Sequence, residues 1–457
     1  MFEKQTNRKI KKSFSLFLAS LFINLSSNQI SFSAGTNDLQ SGPMIGYSEM
    51  KEVLLWAQTN KPAKVKFVYW DQTNPNKKFN TKEIKTLERD SYTAKLIANQ
   101  VYPGKKYNYE LYIDGQKVDR PYPLEFQTPQ LWQWRTDPPD FKVAMGSCTY
   151  VNEPEFDRPG KPYGGNYEIF TSIYNKHPDL MIWLGDNVYL READWYSKTG
   201  IFHRYTHTRS LAEMQPLLAS TINYAIIDDH DFGPNDSDRG FREKEDSLKA
   251  FDLFWGNPTY GSPEVFGAFT KFEWGDVEFF LLDDRTYRAP DKSKTGQRAI
   301  LGDKQFQWLM DSLVSSQATF KLIVIGGQVL NPVTETFIED FSLYPEEKAK
   351  LLDSIEKENI KGVIFISGDR HQSEVSVLNR KNNYPLYDFT FSPLTASPYD
   401  SSKEANTLRL PNTLYAERNF AVMSATGNKK ERQLTFTLYD KDGKERWNKV
   451  LKASELK

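Results

Sequence analysis

Six apolar runs, each closing on oxygen, nitrogen or sulfur donors, limit most strongly how this chain can fold. They are FKVAMGSC (141–148), DLMIWLGDNVY (179–189), NYAIIDDHD (223–231), VEFFLLDD (277–284), FKLIVIGGQ (320–328) and GVIFISGDRH (362–371). Runs apolar on both faces, alternating with amphipathic stretches, read as buried strands of an α/β domain. NYEIFTSIYNK, DKQFQWLMDSLV and PEEKAKLLDSIEKEN supply the helices between them. In open α/β sheets ligands bind outside the carboxyl ends of the strands, so the donors should converge in one crevice. The chain closes with NFAVMSATG and QLTFTLYDKDGKERW, which read as two strands and a hairpin turn.

The segment in front has a different character. Residues 43–130 carry short Val-, Tyr-, Leu- and Phe-rich runs (EVLLWAQT, AKVKFVYW, YTAKLIAN, KYNYELYIDG) separated by turn formers. That spacing predicts an immunoglobulin- or fibronectin-like sandwich. A Pro- and Trp-containing link, LWQWRTDPPD (131–140), leads into the α/β domain, expected over 139–457. At the very start, a basic stretch with Lys4, Arg8, Lys9, Lys11 and Lys12 precedes an apolar segment from Phe14 to Leu25 and the small-residue site SFSA. This is the layout of a secretory signal peptide over 1–33, and it predicts a secreted, periplasmic or envelope protein with no stable membrane insertion after cleavage.

Export makes the cysteine count informative. Oxidising compartments favour paired cysteines, yet Cys148 is the only one in 457 residues. It is a buried filler, an intermolecular link or a thiolate with a chemical task, and counting alone favours the filler. The net charge of −1 gives no whole-chain footprint for nucleic acid.

Singly, each polar run end has a structural explanation. Asp283 and Asp284 read as turn or N-cap residues. His203 and His207 have helical i, i+4 spacing, but FHRYTHTRSL lacks the glutamate of a zinc-protease motif. Together the run ends are harder to dismiss. Carboxylates suit hard cations, imidazole borderline metals and thiolate softer or higher-valent transition metals. The mixed set suggests two unlike metals sharing a carboxylate, which at a separation of about 3.5–4 Å is the usual device for displacement at phosphorus.

The ordered motifs GSC, GDNVY, DDHD, LLDDRTYR, LGDKQFQWL, GGQVL and SGDRH resemble those of the PhoD-like alkaline phosphatase and phosphodiesterase family, a branch of the calcineurin-like metallophosphoesterases. The resemblance implies a four-layer αββα catalytic sandwich behind a smaller all-β domain. It further implies a hydrolase that cleaves small phosphate esters by metal-activated hydroxide attack and releases phosphate. On the matching positions, Cys148, Asp186, Tyr189 and His371 would hold Fe3+. Asp186 would bridge to a second divalent ion, Ca2+ in this branch, held also by Asp229 and Asp369, with Asn235 contributing there or toward phosphate. His230 falls where the superfamily keeps its catalytic histidine, and Arg285 and Arg370 are candidates for meeting phosphate or for structural ion pairs. Asn187 stands where the resemblance leads one to expect a bulkier residue. A phosphodiesterase acting on phospholipid or cell-wall polymer, and an inactive surface-binding relative, are the alternatives.

Overall fold

The computed structural model describes residues 38–335 and 338–457; the signal-peptide reading lies outside them. Two large sheets carry the α/β part. The first has nine strands, in the order Glu445–Lys452, Gln433–Asp440, Asn419–Thr426, Phe141–Gly146, Leu180–Leu184, Ile222–Ile226, Leu39–Ser48, Val53–Thr59 and Thr93–Ala98. The second has six, in the order Thr270–Trp274, Val277–Leu281, Phe320–Val324, Val363–Ser367, Leu386–Thr390 and Glu374–Leu378. In each, the strands that end in donor motifs run parallel to one another.

Strand alternation explains why the sheets stack. Val143 and Met145, Leu180 and Ile182, and Tyr224 and Ile226 face one way and share a core with Phe272, Phe279, Leu281, Leu322, Val324 and Phe365 of the second sheet. Tyr224 stacks on Phe272 at 3.6 Å between ring centroids. The intervening residues Ala144, Met181, Trp183 and Ala225 point to the other face. There they pack on Ile169, Phe170 and Ile173 of the helix Glu168–Tyr174 and on Phe251 and Phe254 of the helix Lys244–Phe254. Phe306, Leu309 and Leu313 of the helix Gly302–Ser315, with Leu351 and Ile355 of Pro345–Lys357, join the core on the side of the second sheet. The result is a four-layer αββα sandwich.

The N-terminal region is all-β, but its strands are shared out unexpectedly. Leu39–Ser48, Val53–Thr59 and Thr93–Ala98 continue the nine-stranded sheet, joined to it by the parallel pairing of Ile45 with Ile222. Lys64–Asp71 and Lys106–Ile113 form a separate small sheet with Phe79–Asn80 and Gln116–Val118. Its buried face (Val65, Phe67, Tyr69, Tyr107, Tyr109) shares a core with Val53, Leu55, Leu96 and Ala98. Sequence alternation specified the strands here, whereas partner choice followed burial. Val53–Thr59 is buried along its whole length, as an interior strand is, while Lys106–Ile113 alternates as a half-covered one does.

Candidate metal centre

The carboxyl ends of five parallel strands meet at the edge between the two large sheets. Cys148 follows Phe141–Gly146, Asp186 and Tyr189 follow Leu180–Leu184, and Asp229 and His230 follow Ile222–Ile226. From the second sheet, Gln328 follows Phe320–Val324, and Asp369 and His371 follow Val363–Ser367. Backbone bonds lock these loops edge to edge: Cys148 N donates to Gly185 O (3.3 Å), Thr149 N to Asp186 O (2.7 Å) and Gly368 N to Gly326 O (2.8 Å). Four of the candidate ligands adopt left-handed backbone, with φ of 61° at Cys148, 51° at Asp186, 63° at Asp369 and 54° at His371. Non-glycine residues rarely sit there, and such strain clusters where a fixed constellation must be presented.

Glycines let the loops approach this closely. Gly185 has φ of 86°, and a Cβ on it would lie 2.6 Å from Asp228 Cβ. The variant Gly185→Ala is therefore expected to lose about 2–4 kcal/mol of stability, combining left-handed strain with overpacking. Denaturant melts of the two proteins measure the difference.

The structure brings Cys148, Asp186 and His371 together, with a ligand atom of each within 4.8 Å of the others. Asp186, Asp229 and His230 form a second such group, and Asp228, Asp229 and Asp369 a third. Asp186 belongs to the first two, which is the placement a bridging carboxylate needs. His371 Nδ1 lies 2.6 Å from Ser397 O, which can only accept, so Nδ1 carries the proton. Nε2 then offers its lone pair, and Tyr189 Oη meets it at 3.0 Å. This is how ligating histidines are normally oriented.

Electrostatics describe a site built for cations. Burial, and then the charge of Asp369, pushes the Cys148 thiol up to about 12. Burial and the neighbouring Asp229 and Cys148 hold the Asp186 carboxyl well above the usual range, and burial with Asp228 does the same to Asp369. Burial, then Asp186 and Cys148, raises the Tyr189 phenol well above its ordinary value. Multivalent ions bound among these acids would reverse every one of these shifts. The donor set of thiolate, phenolate, imidazole and carboxylates fits a transition metal beside a harder ion. Burial lowers His230 to about 3, assisted by Arg285, Arg158 and Arg191 against the opposing Glu339, so its ring is a neutral imidazole. That ring packs 4.2 Å from the Tyr189 ring, and Nε2 lies 3.8 Å from Asp229 Oδ2.

Other residues singled out in the sequence lie elsewhere. Arg285 is fully buried, binding Asp228 through Nε (2.6 Å) and Glu339 through Nη1 (2.8 Å). Arg370 donates to Glu404 (2.5 Å) and Gln328 (3.2 Å). Both guanidiniums are thus committed to protein acceptors, which favours the ion-pair role over phosphate contact. Asn235 is exposed at the rim and its amide donates to Asp236. Asp283 is a turn residue, accepting from Ala268 N, Arg285 N and Thr286 N. His203 pairs with Glu153 at 3.0 Å, away from the acidic groups. Asn187 ties loops together, donating through its side chain to Ile226 O (2.8 Å) and through its backbone to Asp231 (3.0 Å).

Several groups carried no signal in the sequence. Ser392 Oγ donates to Cys148 Sγ (3.1 Å), and Ser397 supplies the carbonyl behind His371. Glu339 and Asp236 form a further acidic group with Asp229. All four come from loops without strand or motif patterning, so only the folded chain reveals them. Asp231, the last residue of DDHD, could have been recognised as a capping residue, since it binds Asp228 N, Asn187 N and Val188 N.

A double sheet capped by helices, with mixed ligands at the strand ends between the sheets, defines a metallophosphoesterase fold. The structure is similar to a solved structure of PhoD, with a TM-score of 0.74 and 16% identity over 93% of this chain and 94% of that one. It is also similar to the purple acid phosphatase PPD1 from yellow lupin (Lupinus luteus), with a TM-score of 0.66 and 12% identity over 90% of this chain and 74% of that one. The chain belongs to the PhoD-like phosphatase family, whose model matches residues 143–443. Residues 36–131 match a second model, "Domain of unknown function (DUF7800)". Alkaline phosphatase D of Bacillus subtilis (strain 168) is 22% identical over 383 residues, covering 70% of this chain. The chain spans 64% of the length of that relative.

Proposed function

We propose that this protein is an exported, metal-dependent phosphoester hydrolase that releases phosphate from small esters. The observation that carries the reading is the convergence of Cys148, Asp186 and His371 with the Asp229 and Asp369 carboxylates, Asp186 lying between the groups. Cys148, Asp186, Tyr189 and His371 would hold Fe3+. Asp186, Asp229 and Asp369, with Asn235 at the rim, would hold Ca2+. When bound, the two ions supply a water nucleophile at neutral pH and neutralise charge on the phosphoryl oxygens.

The chain's own residues do the rest. Ser397 O holds the His371 ring in one tautomer, and the backbone N–H of His230 holds Asp186 Oδ1 at 3.2 Å. The neutral His230 ring donates an N–H hydrogen bond that stabilises charge developing on the departing oxygen or on the phosphoryl group. The crevice side of Asp369, His371 and His230 is partly exposed, which gives a small ester access.

Purified protein is expected to contain iron and calcium and to hydrolyse a chromogenic phosphomonoester, with a chelator abolishing turnover and the two metals restoring it. Elemental analysis beside hydrolysis of that monoester and the matching diester tests this. Absence of bound transition metal together with no hydrolysis of either ester, after iron and calcium are added, would sink the reading.

A further inference from the structure

One arginine beside the metal-site loops bonds to the backbone of a candidate ligand. Arg191 follows Tyr189 by two residues and is buried. Its guanidinium donates to Tyr189 O through Nη1, to Val151 O through Nη2 (2.8 Å) and to Asp157 Oδ1 through Nε (2.8 Å). Tyr189 and Val151 lie on different loops. The first belongs to the loop that carries Asp186, the second to the loop that carries Cys148. One planar fork therefore fastens two ligand-bearing loops to each other, a geometry that a lysine ammonium does not reproduce.

The same group also holds the Tyr189 ring. The guanidinium lies over the Tyr150 ring, 3.7 Å from its centroid, and that ring packs 5.1 Å from the ring of Tyr189. Tyr150 Oη donates to Asp157 Oδ1 (2.9 Å), and the other Asp157 oxygen accepts from Glu153 N (2.7 Å). Asp194 Oδ2 accepts from Arg191 N and from Arg204 Nε, both at 2.8 Å, and Arg204 Nη1 pairs with Glu153 (2.7 Å). Arg204 stands on the helix Lys198–Arg209, so a regular element backs the whole assembly. Tyr189 Oη in turn meets His371 Nε2 at 3.0 Å. Main chain and ring of Tyr189 are thus both set from Arg191.

We infer that Arg191 is the positioning residue of the phenol ligand, fixing where Tyr189 Oη stands against His371 and so how well it can bind the metal. The inference rests on the metal-centre reading above. Each of the three guanidinium nitrogens is used by a protein acceptor, so Arg191 acts through Tyr189 and not on substrate. Outer partners that orient a ligand typically carry about 10–100-fold in metal affinity or activity. A buried ion pair that merely stapled two loops would cost stability and leave the ligand in place.

Arg191→Lys and Tyr150→Leu, compared with Arg432→Lys, test this. Arg432 is also buried and carboxylate-bound, to Asp276 (2.9 Å) and Asp140 (2.9 Å), at the opposite end of the strand Phe141–Gly146 from Cys148. In the iron-loaded protein, Arg191→Lys is expected to lower iron affinity and kcat about 10–100-fold, with KM within about threefold of the parent. It should also shift the phenolate-to-metal absorbance band. Tyr150→Leu should shift the band with a smaller loss of affinity, and Arg432→Lys should lower only the unfolding temperature. Crystal structures of the metal-free parent and variants give a readout that needs no ion. In Arg191→Lys the 3.0 Å separation of Tyr189 Oη from His371 Nε2 is expected to lengthen beyond hydrogen-bond reach. Loss of stability alone in Arg191→Lys, with band, affinity and separation as in the parent, would overturn the assignment. Should that variant not fold, an unmoved band and separation in Tyr150→Leu would overturn it equally. If the parent binds no transition metal, the metal reading fails, while the separation still decides the role of Arg191.

Discussion

The variant Cys148→Ser is expected to lose its transition metal and, with it, about 100-fold or more of the hydrolytic rate, while remaining folded. Removing even an outer partner of a metal ligand costs about 10–100-fold in affinity or activity, and a direct ligand should cost more. Folding should survive because serine is nearly isosteric. Its hydroxyl can also keep the hydrogen bonds that the thiol makes with Ser392 (3.1 Å) and Ser147 (3.3 Å). What serine cannot supply is a polarisable anion, because a hydroxyl gives up its proton far less readily than a thiol. Elemental analysis, the charge-transfer absorbance of the metal and circular dichroism separate loss of metal from loss of structure. Activity at the parent level would show that the thiol is no ligand.

The second large effect concerns His230. Replacement by alanine should lower kcat by about 10²–10³-fold, the range for removing a donor that stabilises transition-state charge, while metal content stays the same. Metal retention is expected because His230 touches Asp186 through its backbone N–H, which the substitution leaves in place. The leaving group sharpens the measurement. If the His230 N–H stabilises charge on the departing oxygen, esters of acidic phenols should lose less rate than esters of alkyl alcohols. An equal loss for both kinds of ester would instead assign His230 to charge on the phosphoryl group.

The two substitutions probe parts of the site that were unequally visible beforehand. GSC, GDNVY, DDHD and SGDRH each follow an apolar run, and a sheet covered on both faces must place the ends of its parallel strands along one edge. Cys148, Asp186, Tyr189, Asp229, His230, Asp369 and His371 were therefore readable as a group. Arg285 was not readable in the same way. An arginine after a strand serves phosphate or a carboxylate equally well, and only the presence of Asp228 and Glu339 against its guanidinium decides between them.

Local pattern determined the strands, the helices, the covered sheets and the chemical types gathered at the strand ends, because periodicity and turn chemistry act over a few residues. Tertiary structure alone decided which strands pair. It carried Leu39–Ser48 into the catalytic sheet beside Ile222–Ile226, a choice made by burial between segments far apart in the chain. It also decided which polar groups are consumed by neighbours and which remain free. Arg285 and Arg370 are bound into the protein, and hydrogen-bond satisfaction depends on atoms brought together from distant loops.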